Sequence, residues 1–144
     1  TKKNYIMYYV SGEGWITPDL PRYNIKIAIS KNGTNWSRLN KTAIDFKNKK
    51  ENALARPCVM KIDNKYFMWF SKKGKNYRTG FAYSKDGINW KRDDSLVDLN
   101  IGKSPFDNKM ICYPYVFSFK KKFYCIYNGN NYGNNGVGMA ILKE

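Results

Sequence analysis

The sequence contains no histidine and only three cysteines among its 144 residues. Without histidine, the Ser–His and Cys–His pairs that activate nucleophiles cannot form, and the histidine-containing zinc sites are excluded as well. Cys58, Cys112 and Cys125 are an odd number of widely spaced thiols, which is not the pattern of a disulfide framework. We therefore expect no metal and no cofactor. The cysteines favour a reducing, cytoplasmic compartment, although one disulfide with a free thiol is also compatible.

Long apolar runs are missing too. No run approaches the roughly 18 residues that a membrane span requires, so no membrane span is expected. The short apolar run in 4–11 alternates as a strand does and lacks a small-residue cleavage site, which argues against a signal peptide. Hydrophobic residues make up 42% of the chain and aromatic residues 17%, which suits one domain with a β core.

Acidic residues are scarce, since 11 Asp and Glu stand against 26 Lys and Arg, for a net charge of +15. Lysines concentrate at 47–50, 72–75 and 120–122, where they can simply form a solvated surface. The alternative is attraction to an anionic partner such as an acidic polysaccharide or a phosphate group. Nucleic acid is not an expected partner, because no nucleic-acid-binding motif appears and the aromatic residues lie within alternating strands.

Alternation is most regular in the segment 55–92, which contains four strand-like runs separated by turn signals. Asp63-Asn64 and Asp86-Gly87 are typical of tight hairpin turns, because these residues tolerate positive φ. The segment therefore predicts a four-stranded antiparallel meander.

The same unit recurs along the chain. Residues 66–70 (YFMWF) are similar to 5–9 and 123–127, and 82–90 (AYSKDGINW) is similar to 28–36, at a period of roughly 57 residues. Four strands per period are typical of a propeller blade.

The period predicts an all-β fold, a β-propeller of four-stranded antiparallel blades. The whole chain, 1–144, is one propeller region, with a partial blade at 1–40, a complete blade at 55–92 and a partial blade at 111–144. The ring is incomplete, so we expect the remaining blades or a second chain to close it and cover the open strand edges. The long loops 12–22, 39–54, 72–77, 93–110 and 129–135 are predicted to share one face, where a ligand site would be built.

Three segments carry a resemblance to a known superfamily. Residues 56–59 (RPCV), 65–71 (KYFMWFS) and 82–90 together resemble the five-bladed β-propeller glycosidases, which include glycoside hydrolase families 43 and 32. The resemblance covers nearly the whole chain and implies a carbohydrate ligand, neutral or anionic, in a central channel. It also implies catalytic carboxylates beside a proline at the starts of inner strands, and in some relatives a calcium ion.

The sequence departs from that pattern, because neither Pro57 nor Pro114 has an acid beside it. Three functions therefore stay open: glycoside hydrolysis or transfer, non-catalytic binding of carbohydrate or protein, and a role in glycan biosynthesis. Glu51 and Asp107 lie just upstream of the two inner strands and are the predicted catalytic carboxylates, with an exposed loop charge as the alternative for each. We expect them to face each other across the channel mouth, and a general acid there would need a raised pKa.

Binding residues are predicted from their position and chemistry. Arg56 and Tyr113 begin the inner strands and should point into the channel, where a guanidinium needs a carboxylate or a ligand as partner. Sugars are bound by aromatic faces and by planar hydrogen-bonding groups. The predicted carbohydrate-binding residues are Arg56, Tyr113, Tyr132, Asn131, Trp15, Tyr77 and Arg78.

Overall fold

The computed structural model describes residues 4–142, and these residues form ten β-strands. The strands are β1 (Tyr5–Thr17), β2 (Leu20–Ser30), β3 (Ser37–Ile44), β4 (Ala53–Ile62), β5 (Lys65–Lys73), β6 (Tyr77–Ser84), β7 (Trp90–Arg92), β8 (Cys112–Phe119), β9 (Lys122–Asn128) and β10 (Val137–Ile141). Asp94–Leu96 and Asn131–Gly133 are single turns of 3-10 helix. Within the described range, no helix has the length and apolar character needed to cross a membrane.

The strands follow the predicted repeat. In the first unit β1 and β3 pair with β2, the second unit is the meander β4 to β7, and the third is β8 to β10, all antiparallel. The backbones of the first two units pair at one point, where Tyr23 of β2 lies beside Ala53 of β4. Residues 1–3 and 143–144 of the predicted terminal blades lie outside the described residues.

The turn between β6 and β7 and the turn between β2 and β3 are built in the same way. The Ser84 hydroxyl accepts hydrogen bonds from the Asp86 and Gly87 amides (3.2 and 2.9 Å), and the Trp90 indole donates to the Gly87 carbonyl (3.1 Å). The segment 30–36 repeats these three bonds with the same distances. Asp86 thus serves the hairpin, as its turn position predicts.

Two predicted loops are partly strand. The segment 12–22 is an extension of the first hairpin, because β1 continues to Thr17 and β2 already begins at Leu20. Gly14, at φ 142°, takes up a shift in register, so that pairing resumes beyond it. β3 likewise extends through part of the predicted loop 39–54. The prediction of loops in these places was wrong.

The main core lies between the first and second units. Its buried side chains are Ile25, Ile27, Ala43, Ile44, Leu54, Met68, Phe70 and Ala82. Trp90 packs edge-on against Tyr8 at 5.4 Å, and Trp69 packs in the same way on Phe81, also at 5.4 Å. Trp69 and Trp90 are therefore packing residues.

The second and third units are joined through their first strands. The Val116 amide of β8 donates to the Cys58 sulfur of β4 at 3.2 Å, and the thiol lies 3.5 Å from the Val116 carbonyl. Cys58, Cys112 and Cys125 are all free thiols. Burial raises the pKa of Cys112 to about 11, which keeps this thiol protonated and unreactive near neutral pH.

A nearly buried ion-pair network fixes the approach to β4. Arg92 of β7 donates to both carboxylate oxygens of Glu51 at 2.8 and 2.7 Å, and to Asp94 at 2.8 Å. Asp94 also pairs with Lys72 of β5 at 2.8 Å. Burial opposes the ionisation of Glu51, yet its hydrogen bonds from Arg92 and the Lys47 amide hold its pKa below the usual value. The network anchors the segment before β4 to the far edge of the second unit.

Glu51→Gln should destabilise the protein, because it leaves part of the Arg92 charge unpaired in a nearly buried position. We expect a loss of up to roughly 3–5 kcal/mol in the free energy of unfolding, measured by urea denaturation. Asp63→Asn is the matched control, since it removes the same charge from an exposed hairpin turn where asparagine tolerates the positive φ. Equal stability of the two variants would contradict a structural role for Glu51.

The network should also make stability depend on acid pH. Burial would raise the pKa of Asp94, but hydrogen bonds from Arg92 and Lys72 lower it from 3.8 to about 2. Because the folded-state pKa lies below the ordinary one, the stabilisation is complete above about pH 4 and is lost as the pH falls towards 2. Unfolding free energies measured across this range should fall less steeply in Asp94→Asn than in the parent, and identical slopes would refute the assignment.

Candidate functional site

The inner strands β4 and β8 begin with the same backbone irregularity. Pairing slips between Ala55 and Cys58 in β4, and between Cys112 and Tyr115 in β8. Within the slips Arg56 has φ 52° and Tyr113 has φ 58°. Such left-handed conformations are costly for residues with a Cβ and concentrate at functional sites, and bulges redirect side chains.

The two bulged residues meet. The Arg56 guanidinium carbon lies 4.9 Å from the centre of the Tyr113 ring. Tyr113 stacks on Tyr132 with ring centres 6.2 Å apart and 29° between the planes, and Tyr77 lies 5.8 and 5.9 Å from these two rings. We call these four residues the tyrosine–arginine cluster. Tyr132 is itself at φ 58° on the loop after β9.

Tyr77 is the buried member of the cluster and packs against Tyr113 and Tyr132. Tyr77 is only 3% exposed, and its hydroxyl forms a 2.7 Å hydrogen bond with that of Tyr23. Burial is the main cause that raises the pKa of Tyr77 well above its usual value, and the hydrogen bond with Tyr23 adds to it. The phenol therefore stays neutral. Tyr132, by contrast, is 53% exposed and can be contacted by a ligand.

The cluster offers two kinds of contact at once. Tyrosine rings present apolar faces with a polar end, and a guanidinium presents a planar set of donors. No carboxylate among residues 4–142 pairs with Arg56, so its charge and donors remain available. Such a surface can bind the apolar face of a sugar ring together with its hydroxyl groups.

A pocket of ≈ 460 Å³ adjoins the cluster at Tyr132 and Lys73. It forms where the loops 72–77, 93–110 and 129–135 converge, as predicted for these three loops. Its lining consists of Lys73, Lys75, Asn76, Pro105, Asn108, Lys109, Met110, Asn130, Asn131, Tyr132 and Asn135. We call it the lysine–asparagine pocket.

Asn130 joins two of the converging loops. Its side-chain oxygen accepts hydrogen bonds from the Lys109 and Met110 amides at 3.0 and 2.8 Å. Its side-chain nitrogen donates to the Pro105 carbonyl at 2.8 Å and to the Asn108 side chain at 2.9 Å. Because Asn130 is buried and fully hydrogen-bonded, it holds the pocket in a preformed shape.

The structure thus brings Arg56, Tyr77, Tyr113 and Tyr132 together, and Asn131 lines the adjoining pocket. The other two predicted binding residues, Arg78 and Trp15, belong neither to the cluster nor to the pocket lining. Arg78 donates to the carbonyls of Tyr77 and Lys109 at 2.7 and 2.9 Å, so it positions the backbone below the pocket. Trp15 is 69% exposed on the extended first hairpin and lies outside the cluster.

Sequence reasoning missed Tyr23 and Lys73. Tyr23 precedes Tyr77 by the same interval that separates the two repeated turn motifs, so the repeat itself was a signal for it. Lys73 follows directly after the ion-paired Lys72, and alternation along β5 places it on the opposite face of the sheet.

The two predicted catalytic carboxylates do not face each other. Glu51 is bound by Arg92, and its lowered pKa is the opposite of what a general acid requires. Asp107 is 4% exposed and accepts a hydrogen bond from the Tyr127 hydroxyl at 3.0 Å. The expected pairing across the channel mouth was wrong, because each acid is held by partners of its own.

Asp107 is nevertheless an unusual group. One of its carboxylate oxygens has no hydrogen-bond partner within residues 4–142, although the side chain is buried. Gly102 passes so close that an added Cβ would lie 2.3 Å from this oxygen. Burial and the contact with Asp107 raise the pKa of Tyr127 to about 12. Asp107 does not line the lysine–asparagine pocket, although Asn108 does.

No protein-family model matches the chain. It is 33% identical over 142 residues to "Uncharacterized protein MT1551" of Mycobacterium tuberculosis, covering 97% of this chain but about half (47%) of the relative. It is 34% identical over 76 residues to a 1,2-beta-oligomannan phosphorylase of Thermoanaerobacter sp., covering 49% of this chain and 26% of the relative.

Several solved structures superpose on most of the chain. A protein described as a glycoside hydrolase superposes with a TM-score of 0.75 and 23% identity, covering 96% of this chain and 41% of its own length. The family 117 glycoside hydrolase Zg3597 of Zobellia galactanivorans gives 0.72 at 20% identity, covering 96% and 47%. The beta-1,2-mannobiose phosphorylase of Listeria innocua gives 0.63 at 19% identity, covering 84% and 33%. The chain has the all-β propeller fold of these enzymes, which confirms the predicted fold class.

Proposed function

We propose that the tyrosine–arginine cluster binds carbohydrate, and that this chain supplies glycan-recognition groups to a glycosidase-like propeller. The observation that carries the proposal is the meeting of Arg56 and Tyr113 at matching bulges of two adjacent inner strands. Both residues hold a left-handed backbone that costs free energy, and such strain is kept where a site requires it.

Each part of the cluster has a role in this proposal. Tyr132 is the exposed ring on which a sugar can stack, and Tyr113 lies behind it at 29°. Tyr77 is buried and fixes both rings from the side. Arg56 supplies donors for sugar hydroxyl groups, because no acid among the described residues neutralises it.

The similar proteins suggest first ligands to try. A 1,2-beta-oligomannan phosphorylase aligns with half of the chain, and a beta-1,2-mannobiose phosphorylase shares the fold. β-1,2-Linked mannosides are therefore the first probes that we would add to a general glycan array.

Substituting Tyr132 or Arg56 by asparagine should weaken glycan binding at least about tenfold, or about 1.4 kcal/mol. Asparagine is chosen because it tolerates the left-handed backbone of both positions and so leaves the fold intact. Affinities would be measured by calorimetry with the tightest-binding glycan of the array.

Tyr5→Asn is the matched control, since Tyr5 is 56% exposed and lies at the start of β1, outside the cluster. It should leave the affinity unchanged. If Tyr5→Asn and Tyr132→Asn weakened binding equally, the cluster would not be the binding site.

A second candidate function is glycoside hydrolysis or transfer, favoured by the glycoside hydrolases that share the fold. Of the two predicted catalytic acids, Asp107 is the better candidate, because it is buried and retains one unpartnered oxygen. In the protein that contains all blades, Asp107→Asn should then reduce turnover at least about 100-fold. A stability loss with unchanged turnover would reduce Asp107 to a structural residue.

The third unit has an exposed apolar face that we expect to be buried by another part of the propeller. One face of β8–β10 exposes a group of large apolar side chains, namely Tyr115, Ile126, Val137, Met139 and Ile141. Faces of this kind mark association surfaces, and propeller blades pack face to face. We propose that further blades, or a second chain that completes the ring, cover this surface.

A further inference from the structure

The lysine–asparagine pocket has a positive lining without an acid. Lys73, Lys75 and Lys109 line it, and none of its lining residues is an aspartate or glutamate. Arg78 adds a fourth cation directly below, where its guanidinium is bound by two carbonyl oxygens instead of a carboxylate. Arg56 borders the same region through the stacked rings of the tyrosine–arginine cluster.

Three cations in other parts of the fold are paired with acids. Arg92 binds Glu51 and Asp94, Lys72 binds Asp94, and Lys26 binds Glu13 at 2.6 Å. No salt bridge among residues 4–142 involves Lys73, Lys75 or Lys109, so the pocket is not neutralised by an acid of the described residues. Gathered like charges repel each other, and a bound anion relieves that repulsion.

The rest of the lining suits a polar ligand held in a fixed orientation. Five asparagines supply neutral donors and acceptors, and the buried Asn130 fixes the loop that carries them. Lysine ammonium groups donate up to three hydrogen bonds each, and charge-assisted bonds to oxyanions are the stronger kind. The volume of ≈ 460 Å³ is within the range of small-molecule sites.

We infer that the lysine–asparagine pocket binds an oxyanion group, a carboxylate, sulfate or phosphate, carried by the same glycan whose sugar ring stacks on Tyr132. The inference rests on the proposed function and names the substrate class, an acidic or phosphorylated glycan. Free inorganic phosphate shares the chemistry of the group but lacks the sugar, and the experiment separates the two sources.

The test compares four probes by ligand-observed NMR and calorimetry: mannose, mannose 6-phosphate, glucuronate and inorganic phosphate. We expect mannose 6-phosphate and glucuronate to bind at least tenfold more tightly than mannose, and more tightly than inorganic phosphate. The combined variant Lys73→Gln, Lys75→Gln, Lys109→Gln should remove this preference, while binding of neutral β-1,2-mannobiose should persist.

The control removes the same charge at a distance: Lys61→Gln, Lys65→Gln and Lys85→Gln, at exposed positions outside the pocket, should change every affinity less than about twofold. Equal losses in both triple variants, or no preference for the charged sugars, would overturn the anion site while the proposed function stands on neutral glycans. Binding of inorganic phosphate alone, lost in the pocket variant, would overturn the sugar-borne ligand and the proposed function together.

Discussion

The matching bulges at the starts of β4 and β8 are the constraint on which the site depends. Each forces one residue, Arg56 or Tyr113, into a left-handed conformation that an uninterrupted strand would not permit. Without the bulges these side chains would follow the alternation of the sheet and pack between blades. With them, a guanidinium and an aromatic ring meet, and Tyr77 and Tyr132 complete the cluster.

The rest of the fold keeps these bulges in register. The apolar core between the first two units and the Cys58–Val116 bonds between β4 and β8 fix the inner strands to their neighbours. The Arg92 network fixes the segment that leads into β4. Strained residues persist only where the surroundings hold them, and these contacts supply that support.

Charge is distributed unevenly between the two sides of the second unit. Glu51 and Asp94 neutralise Arg92 and Lys72 on one side of the second unit. The opposite side, which carries Lys73 and the lysine–asparagine pocket, keeps its positive charge. Our proposal assigns this local positive charge to anion binding, whereas the sequence had left a solvated surface open as the alternative for the net charge of +15.

Much of the fold could be predicted from the sequence, because turn chemistry and alternation act locally. The repeated Ser–Asp–Gly–Trp and Ser–Asn–Gly–Trp turns and the period of the strands indicated the blades. The positions of Arg56 and Tyr113 at the starts of two strands made them candidate binding residues. The extension of the first hairpin was missed, since Gly14 reads as a loop signal when its bulge is not foreseen. Glu51 was misjudged because its partner Arg92 lies 41 positions away in the chain, and only tertiary contact brings the two together.

The central claim is that glycans contact the tyrosine–arginine cluster. The most direct measurement is NMR of the protein with ring-labelled tyrosine, which reports on all 12 tyrosines at once, titrated with the tightest-binding glycan of an array. The account predicts that the ring signals of Tyr113 and Tyr132 shift with saturation while those of Tyr5 and Tyr83 stay in place. Saturable shifts confined to tyrosines outside the cluster would contradict it.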